Sequence, residues 1–254
     1  MTQSDTPPDH LNTTAVIIPA LNEAPNLLQL LPQLAPLNLG QVIVADNGST
    51  DDTPTIARQH RATLVTEPRR GYGAACYAGM EHLNPNIDII AFLDADLSDD
   101  PAGLPQLVRP IRDDEKDLVL GARLPHLRQP GSMTFTQRFG TGLAVKLVRL
   151  GWGFRFADMG PFRAVRRTAL EAIGMKDRAY GWTLEMQIRA VELGLRISEI
   201  PVPYRCRPGQ TKSKISGTLT GSLKAGYWIL STCARYWWTK NSRTSQRSPA
   251  QRNN

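Results

Sequence analysis

Over its first 120 residues the chain alternates apolar, β-branched runs with segments whose hydrophobic residues recur at helical spacing. The runs Thr14–Pro19, Val42–Ala45, Ala62–Thr66, Ile87–Leu93 and Leu118–Leu120 predict strands. Between them, Glu23–Leu34 (Leu27, Leu28, Leu30, Leu31, Leu34), Asp51–Gln59, Gly71–Leu83 and Leu104–Ile111 predict helices, the first limited at its ends by Pro25 and Pro32. Strands that alternate with helices imply a mainly parallel sheet covered on both faces, an α/β fold. Further on, Phe135–Leu150, Thr168–Ile173 and Thr183–Leu193 predict helices, and Gly160–Val165 and Arg196–Val202 predict strands.

With 254 residues and no internal repeat, one α/β domain with C-terminal additions is expected. Its expected limits are a flexible N-terminus over 1–12, a domain over 13–215, an interfacial or packing helix over 216–240 and a disordered basic tail over 241–254. Charge is unevenly spread. Residues 196–254 carry eleven Lys or Arg and one acid, Glu199, whereas residues 1–195 are net acidic by three charges. A basic C-terminal part suits an anionic lipid, a nucleic acid or a phosphorylated substrate. Cys76, Cys206 and Cys233 are too few and too scattered for a disulfide framework or a CxxC zinc site, which suits a reducing compartment. Residues 1–12 lack the basic-then-apolar pattern of a secretory leader. The most apolar stretch, Leu219–Trp238, is broken by Lys224 and Arg235, short of the roughly 20 apolar residues of a membrane span.

In parallel sheets ligands bind beyond the carboxyl ends of the strands. Four strands here end in polar sets: Leu21-Asn22-Glu23, Asp46-Asn47-Gly48-Ser49, Glu67-Pro68-Arg69-Arg70-Gly71 and Asp94-Ala95-Asp96. Singly, such residues start turns and cap helices; on successive strand ends they predict one polar rim. In Asp94-Ala95-Asp96 an apolar run stops at two carboxylates that would share one face of an extended segment. Paired carboxylates repel unless a cation compensates, and Mg²⁺ commonly combines one or two of them with substrate phosphates. Asp96 is the expected direct ligand, and Asp94 a contact to sugar, ribose or metal. Arg69-Arg70-Gly71-Tyr72-Gly73 reads as a turn at a helix start, shaped either to take phosphate or simply to turn a tight corner.

These motifs resemble those of a family 2 glycosyltransferase with the GT-A fold, within the dolichol-phosphate mannose synthase-like group, from about Thr14 to Ile215. Ile18-Pro19-Ala20-Leu21-Asn22-Glu23, Val44-Ala45-Asp46-Asn47-Gly48-Ser49-Thr50-Asp51 and Phe92-Leu93-Asp94-Ala95-Asp96-Leu97 carry the likeness. The resemblance implies a Rossmann-like sheet. It also implies that Pro19, Glu23 and Asp46 hold the nucleotide and that Asp94 and Asp96 bind Mg²⁺ or Mn²⁺; Leu21, Asn47, Gly48, Arg70, Gly71 and Asp94 complete the expected cofactor-binding set. Downstream, Gly121-Ala122-Arg123, Asp158 to Arg163 and Trp182 to Met186 look like further family elements, and Arg207, Ser213 and Lys214 resemble its phosphate contacts. Ser98 and Asn47 stand where members often carry Gln and Asp.

The expected reaction is inverting transfer of a hexose, mannose or glucose, from a nucleotide diphosphate sugar to a polyprenyl phosphate. The enzyme would sit peripherally on the cytosolic face of a membrane. A hydroxyl acceptor on a lipid, glycan or metabolite is the alternative; it needs a carboxylate base, for which Asp158 and Glu185 are the candidates. A phosphate monoester, largely ionised at neutral pH, needs none, and Arg123, Arg207, Ser213 and Lys214 would orient it. Trp and Tyr within Gly217–Lys240 favour a membrane boundary. No nucleic-acid module accompanies the basic residues, so no nucleic-acid partner is expected.

Overall fold

The computed structural model describes residues 11–208 and 228–238. Among these, seven strands form one sheet: β1 (Thr14–Ala20), β2 (Gln41–Asp46), β3 (Thr63–Thr66), β4 (Ile89–Phe92), β5 (Leu118–Ala122), β6 (Arg163–Arg166) and β7 (Ile197–Pro201). The strand order is β3-β2-β1-β4-β6-β5-β7. β1 to β4 pair in parallel, as do β5 and β7, whereas β6 runs antiparallel to both β4 and β5. The expected α/β class and mainly parallel sheet are found. The reversed β6 has no counterpart in the sequence pattern, because alternation of side chains marks a strand without giving its direction.

The helices are α1 (Ala24–Leu34), α2 (Thr53–Gln59), α3 (Tyr72–Glu81), α4 (Leu104–Arg112), α5 (Phe135–Trp152), α6 (Arg167–Ile173) and α7 (Trp182–Glu192). Alternate residues of β1 feed two cores, as the twofold period of a strand requires. Val16 and Ile18 pack with Leu27, Leu30, Ile56, Leu107 and Ile111 of α1, α2 and α4. Ala15 and Ile17 belong with Cys76, Val148, Ile173 and Ile188 of α3, α5, α6 and α7. α1 continues through Pro32 to Leu34. The carbonyl that Pro32 leaves without a donor belongs to Leu28, which is half exposed, so water can take it.

Two sequence-based readings are corrected. Leu11 lies in the core, and its carbonyl accepts from Thr14 and Gly40, so the ordered chain reaches into the expected flexible N-terminus. β4 ends at Phe92, so Asp94 and Asp96 are not on an extended segment. Asp96 Oδ1 accepts from the Ser98 amide at 3.0 Å and Leu97 adopts φ +60°, which turns the chain at once. The C-terminal helix is described over 228–238, where Thr232 and Cys233 are buried and Leu230, Trp237 and Trp238 exposed. It therefore packs on the domain through one face. Among the described residues, no helix is long and apolar enough to cross a membrane.

Candidate active site

A cleft of about 320 Å³ opens at the carboxyl ends of β1 to β4. Pro19 and Ala20 line it at the end of β1, Leu21 and Glu23 after that strand, Asn47 after β2, Arg70, Gly71, Tyr72 and Ala75 after β3, and Asp94, Ala95 and Asp96 after β4. Tyr180 and Arg207 close it from the C-terminal half. The expected polar rim is present. Tyr180, half exposed in the loop before α7, is a member that the sequence reading did not single out, because no motif surrounds it.

The loops after β1 and β2 are stitched together. The Asn22 amide donates to Ser49 Oγ at 2.8 Å and the Thr50 amide to Asn22 Oδ1 at 2.7 Å. Glu23 and Ala24 amides, at the start of α1, donate to Thr53 and Asp51 side chains; they are among the donors that a helix start leaves open. Asp46 is buried, and its carboxylate accepts from the Ser49 amide at 3.1 Å, closing the turn through Gly48 at φ +81°. Asp46 and Gly48 thus shape the rim from beneath and are not among the cleft-lining residues.

Chain packing accounts for the glycines of this turn. A Cβ on Gly71 would lie 2.2 Å from the Arg178 carbonyl oxygen, and one on Gly73 2.5 Å from that of Asp177. The amides of Gly73 and Ala74, which a phosphate would need, donate to the carbonyls of Ala179 and Arg178. The Gly71 amide donates to Asn47 Oδ1 at 2.8 Å, while Asn47 Nδ2 donates to the carbonyls of Glu67 and Arg69. The tight corner is present, and Arg70 is its cleft-facing cation.

Asp94 and Asp96 sit together at the floor. Burial, and next the charge of Asp96, push the Asp94 carboxyl up to about 7. Its Oδ1 is buried without a hydrogen-bond partner. Such an oxygen suits a hard cation, which would also favour the charged carboxylate. No group of three His, Cys, Asp or Glu poised for a metal occurs among the described residues, so Asp94 and Asp96 would hold an ion together with substrate oxygens. Arg207 Nε pairs with Asp96 Oδ2 at 2.6 Å. Behind them Asp99 is buried with neither carboxylate oxygen hydrogen-bonded, and burial raises its carboxyl well above the ordinary range.

The two expected bases lie elsewhere. Asp158 and Arg123 form a buried bidentate pair, Nε to Oδ2 at 2.6 Å and Nη2 to Oδ1 at 3.0 Å, and the Arg123 amide donates to the same carboxylate. Burial works against the Asp158 charge, but the Arg123 hydrogen bonds outweigh it and hold the carboxyl below its ordinary value. The Arg123 guanidinium also lies over the Tyr204 ring. Glu185 is fully buried; it accepts from the Lys176 and Asp177 amides and from the Tyr236 hydroxyl. Neither Asp158, Arg123 nor Glu185 lines the cleft. All three, expected as bases or as a phosphate contact, have internal partners in this structure. Ser213 and Lys214 lie outside the described residues.

Residues 15–174 match the family described as Glycosyl transferase family 2. The chain belongs to that family. An uncharacterized glycosyltransferase of Mycobacterium tuberculosis is 40% identical over 217 residues, covering 84% of this chain and 94% of the relative. The undecaprenyl-phosphate mannosyltransferase of Micrococcus luteus is 31% identical over 234 residues, covering 81% of this chain and 88% of the relative. Among solved structures, glucosyl-3-phosphoglycerate synthase from M. tuberculosis, crystallised with Mn²⁺, UDP and glucosyl-3-phosphoglycerate, superposes with TM-score 0.69 at 23% identity. That superposition covers 87% of this chain and 80% of the synthase. The family 2 fold is therefore the GT-A arrangement that the motifs suggested, and the cleft at its strand ends belongs to a glycosyltransferase.

Proposed function

We propose that the protein transfers a hexose, mannose or glucose, from a nucleotide diphosphate sugar to a polyprenyl phosphate at the cytosolic face of a membrane. The observation that carries this reading is the pairing of charges in the cleft. A carboxylate pair suited to a cation meets the guanidinium of Arg207, while the two carboxylates expected as bases are tied to Arg123 and to the 176–177 amides. A hydroxyl acceptor would need a base other than Asp158 or Glu185; a phosphate monoester attacks as the anion it already is. The mannosyltransferase relative of M. luteus, by its name, uses such a lipid phosphate.

In this reading Pro19, Leu21, Glu23, Asn47, Arg70 and Gly71 bound the donor nucleotide. Asp94 and Asp96 hold Mg²⁺ or Mn²⁺, which when bound offsets the charge that builds on the departing diphosphate. Arg70 adds a fixed positive charge on the same side. Arg207 orients the acceptor phosphate by charge-assisted hydrogen bonds. A phosphate oxygen forms the new bond to the anomeric carbon as the bond to the diphosphate breaks, and the nucleotide leaves with the electron pair.

The test is a panel of radiolabelled nucleotide sugars offered with polyprenyl phosphates and with neutral lipid alcohols, followed by extraction into organic solvent. Label that follows the phosphate lipids supports the reading. Label on alcohols alone would replace it with the hydroxyl-acceptor alternative.

A further inference from the structure

α5 turns an uncovered stripe outward. Phe135 and Phe139 are 74% and 64% exposed. Their rings stack with centroids 6.5 Å apart. Gly142, Lys146, Arg149 and Leu150 continue the exposed face at helical spacing, with Arg138 beside it. Residues 124–152 hold four arginines or lysines and no acid. The aromatic end is firmly rooted, since Thr134 and Gln137 form a reciprocal capping box. The opposite side of the helix is occupied: Ala144 and Val148 are in the core, and Gly140 faces Ile229 of the 228–238 helix.

The position of this stripe relates it to the cleft. The loop that leads into α5 grips the arm that carries Arg207. The Gln129 amide donates to the Tyr204 carbonyl at 2.8 Å, and Gln129 Oε1 accepts from the Cys206 amide at 2.7 Å. The next residue, Arg207, reaches Asp96 in the cleft.

We infer that this face of α5 docks on a bilayer bearing anionic headgroups, with Phe135 and Phe139 inserted at the acyl boundary and Arg138, Lys146 and Arg149 among the headgroups. Exposed aromatics flanked by basic residues, without an acid, have the chemistry of interfacial helices. A second copy of the chain fits less well, because a twofold contact through this stripe would set Arg138, Lys146 and Arg149 against their own like charges. The inference rests on the lipid-phosphate reading of the cleft, since a membrane-bound acceptor would then be presented beside Arg207.

The experiment is flotation of the full-length protein with vesicles of equal parts phosphatidylglycerol and phosphatidylcholine, and with phosphatidylcholine alone. Wild type should float with the anionic vesicles. Phe135→Ser with Phe139→Ser, and separately Arg138→Glu with Lys146→Glu, should each weaken that binding by about tenfold or more. Melting temperature should be unchanged, because these side chains are exposed. Transfer to a short, water-soluble polyprenyl phosphate should also be unchanged. Binding that survives both double substitutions, or wild type that ignores anionic vesicles, overturns the inference. So does a lipid-free dimer abolished by the phenylalanine substitutions, which would make the stripe a contact between copies. If vesicle binding follows the substitutions but wild type leaves the soluble phosphate unglycosylated, the docking face stands and the acceptor reading falls.

Discussion

Arg207 Nε stands 2.6 Å from Asp96 Oδ2, so a side chain from the C-terminal arm holds the carboxylate that a metal ion would claim. Arg207→Ala should therefore tighten Mn²⁺ binding in the absence of nucleotide by about tenfold, or about 1.4 kcal/mol. It should also raise KM for the proposed phosphate acceptor. Titration calorimetry on both proteins decides the first point; equal affinity would show that arginine and metal do not compete.

Asp96→Ala should lower kcat by about a hundredfold or more while leaving the circular dichroism spectrum and melting temperature near those of wild type. Loss of Mn²⁺ binding in the same variant ties the effect to the ion. Full turnover by this variant would remove the assignment of Asp96 to the metal.

The Arg123–Asp158 pair predicts a structural defect instead. Its side chains are 9% and 1% exposed, and removing one partner of a buried pair costs about 3–5 kcal/mol. Arg123→Ala should thus show a large loss in denaturant midpoint. The Asp158 carboxyl is held below its ordinary value of 3.8, so its stabilisation is complete above that pH and fades as pH falls through the lowered folded value. Asp158→Asn should be less stable at neutral pH and lose that part of the acid dependence. An unchanged acid profile counts against the pair.

Glu185 binds the amides of Lys176 and Asp177 and the Tyr236 hydroxyl, and Arg235 lies 3.4 Å from Asp177. The 228–238 helix thereby braces the loop that carries Tyr180 to the cleft. Tyr236→Phe should cost about 1–2 kcal/mol and speed limited proteolysis within residues 175–181. Cleavage at the wild-type rate would mean that the loop is held from elsewhere.

Gly73→Ala would place a methyl 2.5 Å from the Asp177 carbonyl oxygen. The α3 start and the 177–179 loop would have to separate, and the expected result is a lower melting temperature with a raised KM for the donor. A neutral substitution here would contradict the tight packing between the two segments.

Much of this architecture was legible in the chain because four β-branched runs ended in polar residues, and a parallel sheet gathers such ends on one side. The direction of β6 was not, since its residues alternate equally well either way. Arg123 and Asp158 were legible as family motifs, but not as each other's partner, because thirty-five positions separate them and only the fold brings them together. The turn at Gly71 and Gly73 was ambiguous for a physical reason: a missing side chain admits a ligand and a neighbouring backbone equally well. Glu185 offered a carboxylate in a plausible motif, and only burial revealed that its oxygens were already taken.

The carboxamide of Asn47 gives to two carbonyls and takes from one amide, linking the Glu67–Gly71 stretch to the end of β2. An aspartate, the commoner family residue, could take but never give, and would point a negative atom at two oxygens. Asn47 thus fastens the rim by hydrogen donation, and Asn47→Asp would unbutton it.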